Sequence, residues 1–307
     1  MNGSVVLVQG DGVGQEVLDQ ARAVLDQVAL DFGHTFSFEE TALDRGIAEV
    51  VAACRRSTAA LWGIGPGEGG APAQALSDLR RQLTLHTTVR PFRIFPEHLR
   101  ALPFRPERFR GVDVLVVSDS PEVGQAAPRL ALERAFGLAS GRWHLVTCVE
   151  AAESAQSNPT TWRELAVEVA RAARGVRLEH IALEHAALRL VTSPTQFDVV
   201  AAPARFADLL IDQAATLAGS VALLSGAALG EGTFGAYYPL HGAMLHLARR
   251  GRVNPVGGIL AAALMLRHSL GLEREASAVE AAVAAAIAQG ARTADLPSER
   301  PFSTREM

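Results

Sequence analysis

Asp208 and Asp212 stand four residues apart in the stretch FDVVAAPARFADLLID, Phe197 to Asp212. Phe197-Asp198-Val199-Val200 has the apolar, β-branched character of a strand end, and a helical segment is expected after a short loop. On a helix, this spacing sets both carboxylates side by side on one face. Like charges so placed repel by about 0.2–0.5 kcal/mol. A divalent cation would justify the pairing, because Mg²⁺ and Mn²⁺ favour hard oxygen donors held together. The other reading is two solvated acids near a helix start, where the macrodipole favours negative charge. Arg80 and Arg90 flank a turn further upstream. Two guanidinium forks there suit a carboxylate ligand, and two surface arginines is the alternative. Gly10-Asp11-Gly12-Val13-Gly14 forms a glycine turn between a strand and a helix, the local grammar of a nucleotide-binding unit. Its spacing is GxGxG and not GxGxxG, a weak signal for phosphate or cofactor contact against a simple tight turn. The loop Gly65-Pro66-Gly67-Glu68-Gly69-Gly70 is rich enough in glycine to line a site.

The elements that must position these residues alternate along the chain. Ser4–Gln9 is a buried strand, followed by a helix over Gln15–Phe32. A helix over Ala42–Ser57 leads to a strand at Ala59–Ile64. Leu76–Leu85 reads as helix and Thr87–Pro91 as extended chain. Strands are expected at Val114–Val117, Trp143–Cys148 and Leu178–Ala182, with helices at Arg129–Leu138 and Thr161–Ala173. Ala204–Ala218 and Leu223–Leu229 read as alanine-rich, weakly polar helices. Asn254-Pro255 opens a long buried helix to about Leu270, and Glu273–Gln289 forms the last one. The polar tail after Leu296 is expected to be loose.

Composition narrows the function classes. The chain has 307 residues, 49% hydrophobic and 20% charged, which suits one or two globular domains. A net charge of −4 and a pI near 6.2 leave no basic footprint for nucleic acid. The most apolar stretch, Val256–Leu266, is too short to span a bilayer, so no membrane association is expected. Cys54 and Cys148 lie far apart, which suggests free thiols and a cytoplasmic location. All 29 basic residues are arginine; the chain contains no lysine. A lysine that exchanges protons is therefore excluded, since arginine stays charged at any working pH. Tyrosine occurs only at Tyr237 and Tyr238.

Five segments in order resemble the isocitrate/3-isopropylmalate dehydrogenase family of NAD(P)-dependent decarboxylating dehydrogenases. Gly10–Val17 is similar to the family opening GDGIGPEV. Leu79-Arg80 through Val89-Arg90-Pro91 resembles its LR…LRP segment, and Phe197–Asp212 its metal helix. Leu240-His241-Gly242 with Val253-Asn254-Pro255 resembles the HGSAP…ANP cofactor segment. Ala291–Leu296 resembles the closing RTxDL. The resemblance implies an α/β fold of two domains with a shared interdomain cleft, residues 1–85 plus 219–307 and residues 86–218. It implies substrate binding by Arg80 and Arg90, and NAD or NADP on Gly65, His241, Gly242 and Asn254. It implies Mg²⁺ or Mn²⁺ on Glu184, Asp208 and Asp212, with Glu184 from a dimer mate.

Departures fall where the family does its proton chemistry. The family V-D-K-A-N run reads Val149-Glu150-Ala151-Ala152-Glu153 here, so Ala151 takes the lysine position. The RE…GGxYxG segment reads Ser118 to Gln125 without tyrosine or leading arginine, and the arm after it is short. One metal aspartate position holds Glu184, and His246 replaces the acid beside the cofactor loop. Two readings follow: a binding or regulatory subunit without the standard catalysis, or an oxidoreductase acting on an unusual malate-type acid with His185 or Glu153 moving protons. The expected partners are a second copy, an active paralogue and a small carboxylic acid. A homodimer is expected because Ala204–Ala218 and Leu223–Leu229 are too apolar for a monomer surface.

Overall fold

The computed structural model describes residues 1–63, 65, 70–95, 106–150 and 161–307. In chain order they form β1 (Asn2–Gln9), α1 (Gly14–Phe32), β2 (Thr35–Ala42), α2 (Ile47–Arg56), β3 (Ala59–Trp62) and α3 (Gly70–Gln82). Then come β4 (Thr87–Arg93), β5 (Asp113–Asp119), α4 (Ala127–Ser140), β6 (Leu145–Glu150), α5 (Trp162–Ala172), β7 (Arg177–Ala182), α6 (Leu183–Thr192), β8 (Val199–Ala202) and α7 (Ala204–Ala218). The chain ends with β9 (Ser225–Leu229), β10 (Gly235–Pro239), α8 (Val256–His268) and α9 (Glu273–Ala288). This is the α/β class expected from alternating strand and helix signals.

Two compact units result: Met1–Leu85 with Ser220–Met307, and His86–Gly219. In the first, strand order is β2-β1-β3-β10-β9, parallel except for β9 against β10. Helix α8 is buried nearly all round, with Ala262, Met265 and Leu266 at 0% exposure. Such a helix has no polar face because every side packs on protein. A fully buried side chain of leucine size contributes about 1.5–3 kcal/mol by leaving water. In the second unit the order is β4-β5-β8-β6-β7, with only β4 antiparallel. Its α5 starts on a capping box, Thr161 with Glu164, which satisfies two backbone donors reciprocally.

Several expected elements differ. Leu223–Leu229 is not a helix: a single turn over Val221–Leu223 leads into β9, buried at every position and paired with β10. Ladder pairing and burial override the helical preference of alanine there. The helix expected from Ala42 begins only at Ile47, because β2 runs to Ala42 and Gly46 at φ +97° breaks the chain direction. Strand β2 itself is absent from the sequence reading. The tail is pinned: Thr304 is buried, donates its hydroxyl to Val253 O at 2.7 Å and its N–H to Gly251 O at 2.9 Å. Among the described residues, no helix is long and apolar enough to cross a membrane.

Candidate functional site

The second unit gathers its polar groups at the carboxyl ends of β5 and β8, the usual place for a site in an α/β sheet. Strands β5 and β8 run in parallel, and β8 leads through Pro203 into α7. Asp119, at the end of β5, accepts a hydrogen bond from Ala204 N at 2.8 Å and so holds the start of α7. Burial pushes the Asp119 carboxyl up, the Ala204 bond opposes this, and the charges of Glu122 and Asp208 add to the rise.

Arg90 on β4 is buried. It donates Nη1 to Asp208 Oδ1 at 2.5 Å and Nη2 to Ser118 Oγ at 3.2 Å. Asp208 is 63% exposed, so this ion pair joins a buried cation to a solvent-facing acid. Asp212 is exposed one turn further along α7. Both carboxylates thus share the outer face of α7, while Phe206, Ala207, Leu210 and Ile211 face the core. Asp208 keeps an oxygen free of Arg90, and the all-oxygen pair suits Mg²⁺ or Mn²⁺. Glu184 is exposed in the first turn of α6. Among the described residues of one chain, these three acids do not form a set within 4.8 Å.

The first unit holds Arg80 in the last turn of α3, with its guanidinium carbon 5.8 Å from the centre of the Tyr238 ring. Tyr238 in turn stacks on Trp62. Gly12 does not open a cradle. It has φ +69°, and a Cβ there would lie 1.8 Å from Ala243 O, so its missing side chain admits the 241–243 backbone. The neighbouring Val13 N donates to that same oxygen at 3.0 Å. Gly65 is held likewise: its N–H donates to His241 O at 2.9 Å, and a Cβ would meet Pro239 O at 2.1 Å. Of the rest of that loop, residues 64 and 66–69 lie outside the described residues.

His241 is buried and donates Nδ1–H to Gly242 O at 2.9 Å. Burial lowers its pKa, so the ring is neutral near pH 7. Its Nε2 is buried without a protein partner, a side-chain atom of the expected cofactor set left open for a ligand. Asn254 is engaged at both ends: Nδ2 donates to Asp295 Oδ2 at 3.2 Å, and Oδ1 accepts from Val256 N at 3.1 Å. Thr293 also donates to Asp295. These contacts organise the segment from the closing RTxDL-like run to the start of α8, and sequence reasoning did not assign that role to Asp295. Ala151, Ala152 and Glu153 lie outside the described residues. His185 and His246 are exposed.

The comparisons agree with this architecture. The isocitrate/isopropylmalate dehydrogenase family profile matches residues 4–125 and 121–307. A 3-isopropylmalate dehydrogenase from Anaeromyxobacter dehalogenans is 40% identical over 347 aligned positions, covering 100% of this chain and 98% of the relative. With 307 residues to place, this chain is missing from at least 40 of those positions. An isocitrate dehydrogenase structure from Methylococcus capsulatus superposes with a TM-score of 0.85 at 22% identity, over 98% of this chain and 96% of its own. The TT0538 protein of Thermus thermophilus gives a TM-score of 0.84 at 25% identity, over 99% of this chain and 66% of its own. The chain is an α/β protein of this fold, and it belongs to the isocitrate/isopropylmalate dehydrogenase family.

Proposed function

We propose that this family member binds a small 2-hydroxy-acid-type carboxylate as a binding or regulatory subunit and does not carry out the family's oxidative decarboxylation. One observation carries this reading. The chain has no lysine, and its only two tyrosines, Tyr237 and Tyr238, are both buried in β10. The Tyr237 hydroxyl is 2.6 Å from Ser269 Oγ, and Tyr238 lies against Trp62 and Arg80. No lysine ammonium or exposed phenol is left to take a proton from a hydroxyl or return one to an enol carbon. Losing one positioned acid–base group costs about 10²–10⁴ in rate.

The groups for binding are better preserved. Arg90, fixed by Ser118 and Asp208, is the buried cation that would orient a carboxylate, with Arg80 as the second. Asp208 and Asp212, with Glu184 of a second copy, would hold Mg²⁺ or Mn²⁺, which when bound polarises substrate oxygens. Gly65, His241, Gly242 and Asn254 would border NAD or NADP, a reading supported by the buried, unpartnered Nε2 of His241. A homodimer through α6 and α7 is also proposed. Its support is no longer apolarity of α7, whose face is buried in its own unit, but the exposure of Leu188 (61%) and Leu209 (49%) on these packed helices. Light scattering giving a monomer mass at micromolar concentration would remove that part.

The second reading is an active dehydrogenase. It is favoured by the 40% identity to a protein named 3-isopropylmalate dehydrogenase across the whole chain. A single assay separates the two: reduced-nucleotide absorbance with 3-isopropylmalate or isocitrate, Mg²⁺ or Mn²⁺, and NAD⁺ or NADP⁺. The expected turnover is at least about a thousandfold below an active relative. Ala151→Lys combined with Gln125→Tyr is expected to raise it. Turnover near that of a relative would install the second reading instead.

A further inference from the structure

A second group of potential ligands sits at the end of β6, outside the substrate, cofactor and metal sets named above. Cys148 and Glu150 are two residues apart on a strand, so both point to the same side of the sheet. His180 on β7 is the register partner of Cys148. The thiol sulfur, a carboxylate oxygen and an imidazole nitrogen lie within 4.8 Å of one another. Cys148 is fully buried, while the side chains of Glu150 and His180 are 23% and 20% exposed.

We propose that Cys148, Glu150 and His180 form a site for a zinc-class divalent cation. Sulfur, nitrogen and oxygen donors together match the preference of Zn²⁺, and three protein ligands leave a fourth tetrahedral position toward solvent. Adjacent paired strands hold the donors, so little ordering is needed on binding. Glu150 is already engaged: Arg163 Nε donates to both of its oxygens at 3.0 Å, and His180 Nδ1 is hydrogen-bonded to it. The Arg163 side chain is 57% exposed, so its ion pair is a weak surface contact that a divalent ion displaces. The thiol, pushed up to about 12 by burial and by Glu150, is protonated in the metal-free chain. Binding breaks its S–H bond, forms the metal–sulfur bond and releases one proton to solvent, with no change of oxidation state. A nucleophilic cysteine–histidine–glutamate relay would use the same three residues, but it needs an accessible thiolate, and Cys148 offers neither access nor a lowered pKa.

The test uses the full chain, stripped with a chelator and held in excess Mg²⁺ to fill oxygen sites. Titration with Co²⁺ is expected to give a single binding event, a thiolate-to-cobalt charge-transfer band in the near ultraviolet and one proton released; Zn²⁺ should abolish the band. Only Cys54 and Cys148 carry thiols, so Cys148→Ser must remove it. His180→Gln is expected to weaken affinity by more than the roughly 10–100-fold typical of losing an outer-shell partner. Arg163→Ala, at an exposed position, should tighten binding. A band absent from the unmodified protein, or surviving Cys148→Ser, overturns the proposal. Should that variant fail to fold, affinities unchanged in both His180→Gln and Arg163→Ala overturn it equally.

Discussion

Asn254 in the first unit has both ends of its amide engaged by the fold, whereas Asp208 in the second gives one oxygen to Arg90 and the rest to solvent. The same contrast holds around each. Gly12, Gly65 and His241 hold backbone segments together, and His241 Nε2 is buried without a partner. On α7 the acids stand on an outer face that the packing of the helix does not use. A residue built into backbone contacts can keep its place for the fold's sake after a reaction is lost. Asp208 has a structural reason of its own in Arg90, whereas Asp212, exposed one turn along, is not held in this way and reports more directly on ligand binding.

Substitutions test this contrast, beginning with the largest effect. Gly12→Ala should destabilise by about 2–4 kcal/mol, because a Cβ meets the Ala243 carbonyl and the backbone is left-handed. Gly46→Ala, also at positive φ but with open space around it, should cost only about 1–2 kcal/mol. Equal losses in urea midpoints would show that Gly12 is not a packing glycine.

Asn254→Ala and Asp208→Ala should each cost about 1–3 kcal/mol, the first by orphaning the buried Val256 N–H and the second by leaving the buried Arg90 with only Ser118. They should differ in metal response: only Asp208→Ala should abolish the calorimetric heat of Mn²⁺. Loss of that heat in Asn254→Ala as well would break the separation between the two units.

Asp119 has a raised folded pKa, so the native state binds more protons than the unfolded one between about pH 3.8 and the folded value. Stability therefore falls as pH rises through that window and is flat above it. Asp119→Asn keeps an acceptor for Ala204 N and should remove this fall, which denaturation followed against pH will detect. Asp212→Asn should change stability by no more than about 0.5 kcal/mol, since the residue is exposed, while still weakening Mn²⁺ binding.

The α/β class and the family were legible in the residues themselves. β-branched runs such as Val5–Val8, and periodic apolar positions such as Val17, Leu18, Ala21 and Leu25, carry strand and helix signals within a few residues. The absence of lysine is likewise complete in the composition, with no structure needed. Pairing is what local signals lack. Ser225–Leu229 is a strand because β10 lies beside it, although its alanines alone favour a helix. Thr304 is held by Val253, some fifty residues away in the chain, so its tail could not be read as ordered from its polarity. Among the site residues, the spacing of Asp208 and Asp212 on one helical face follows from 3.6-residue periodicity. That Arg90 grips one of them, and that Cys148 finds His180 on the next strand, depends on contacts between residues 118 and 32 positions apart. Side-chain chemistry is local to the sequence, but proximity between distant segments is created only when buried apolar surface draws the sheets and helices together.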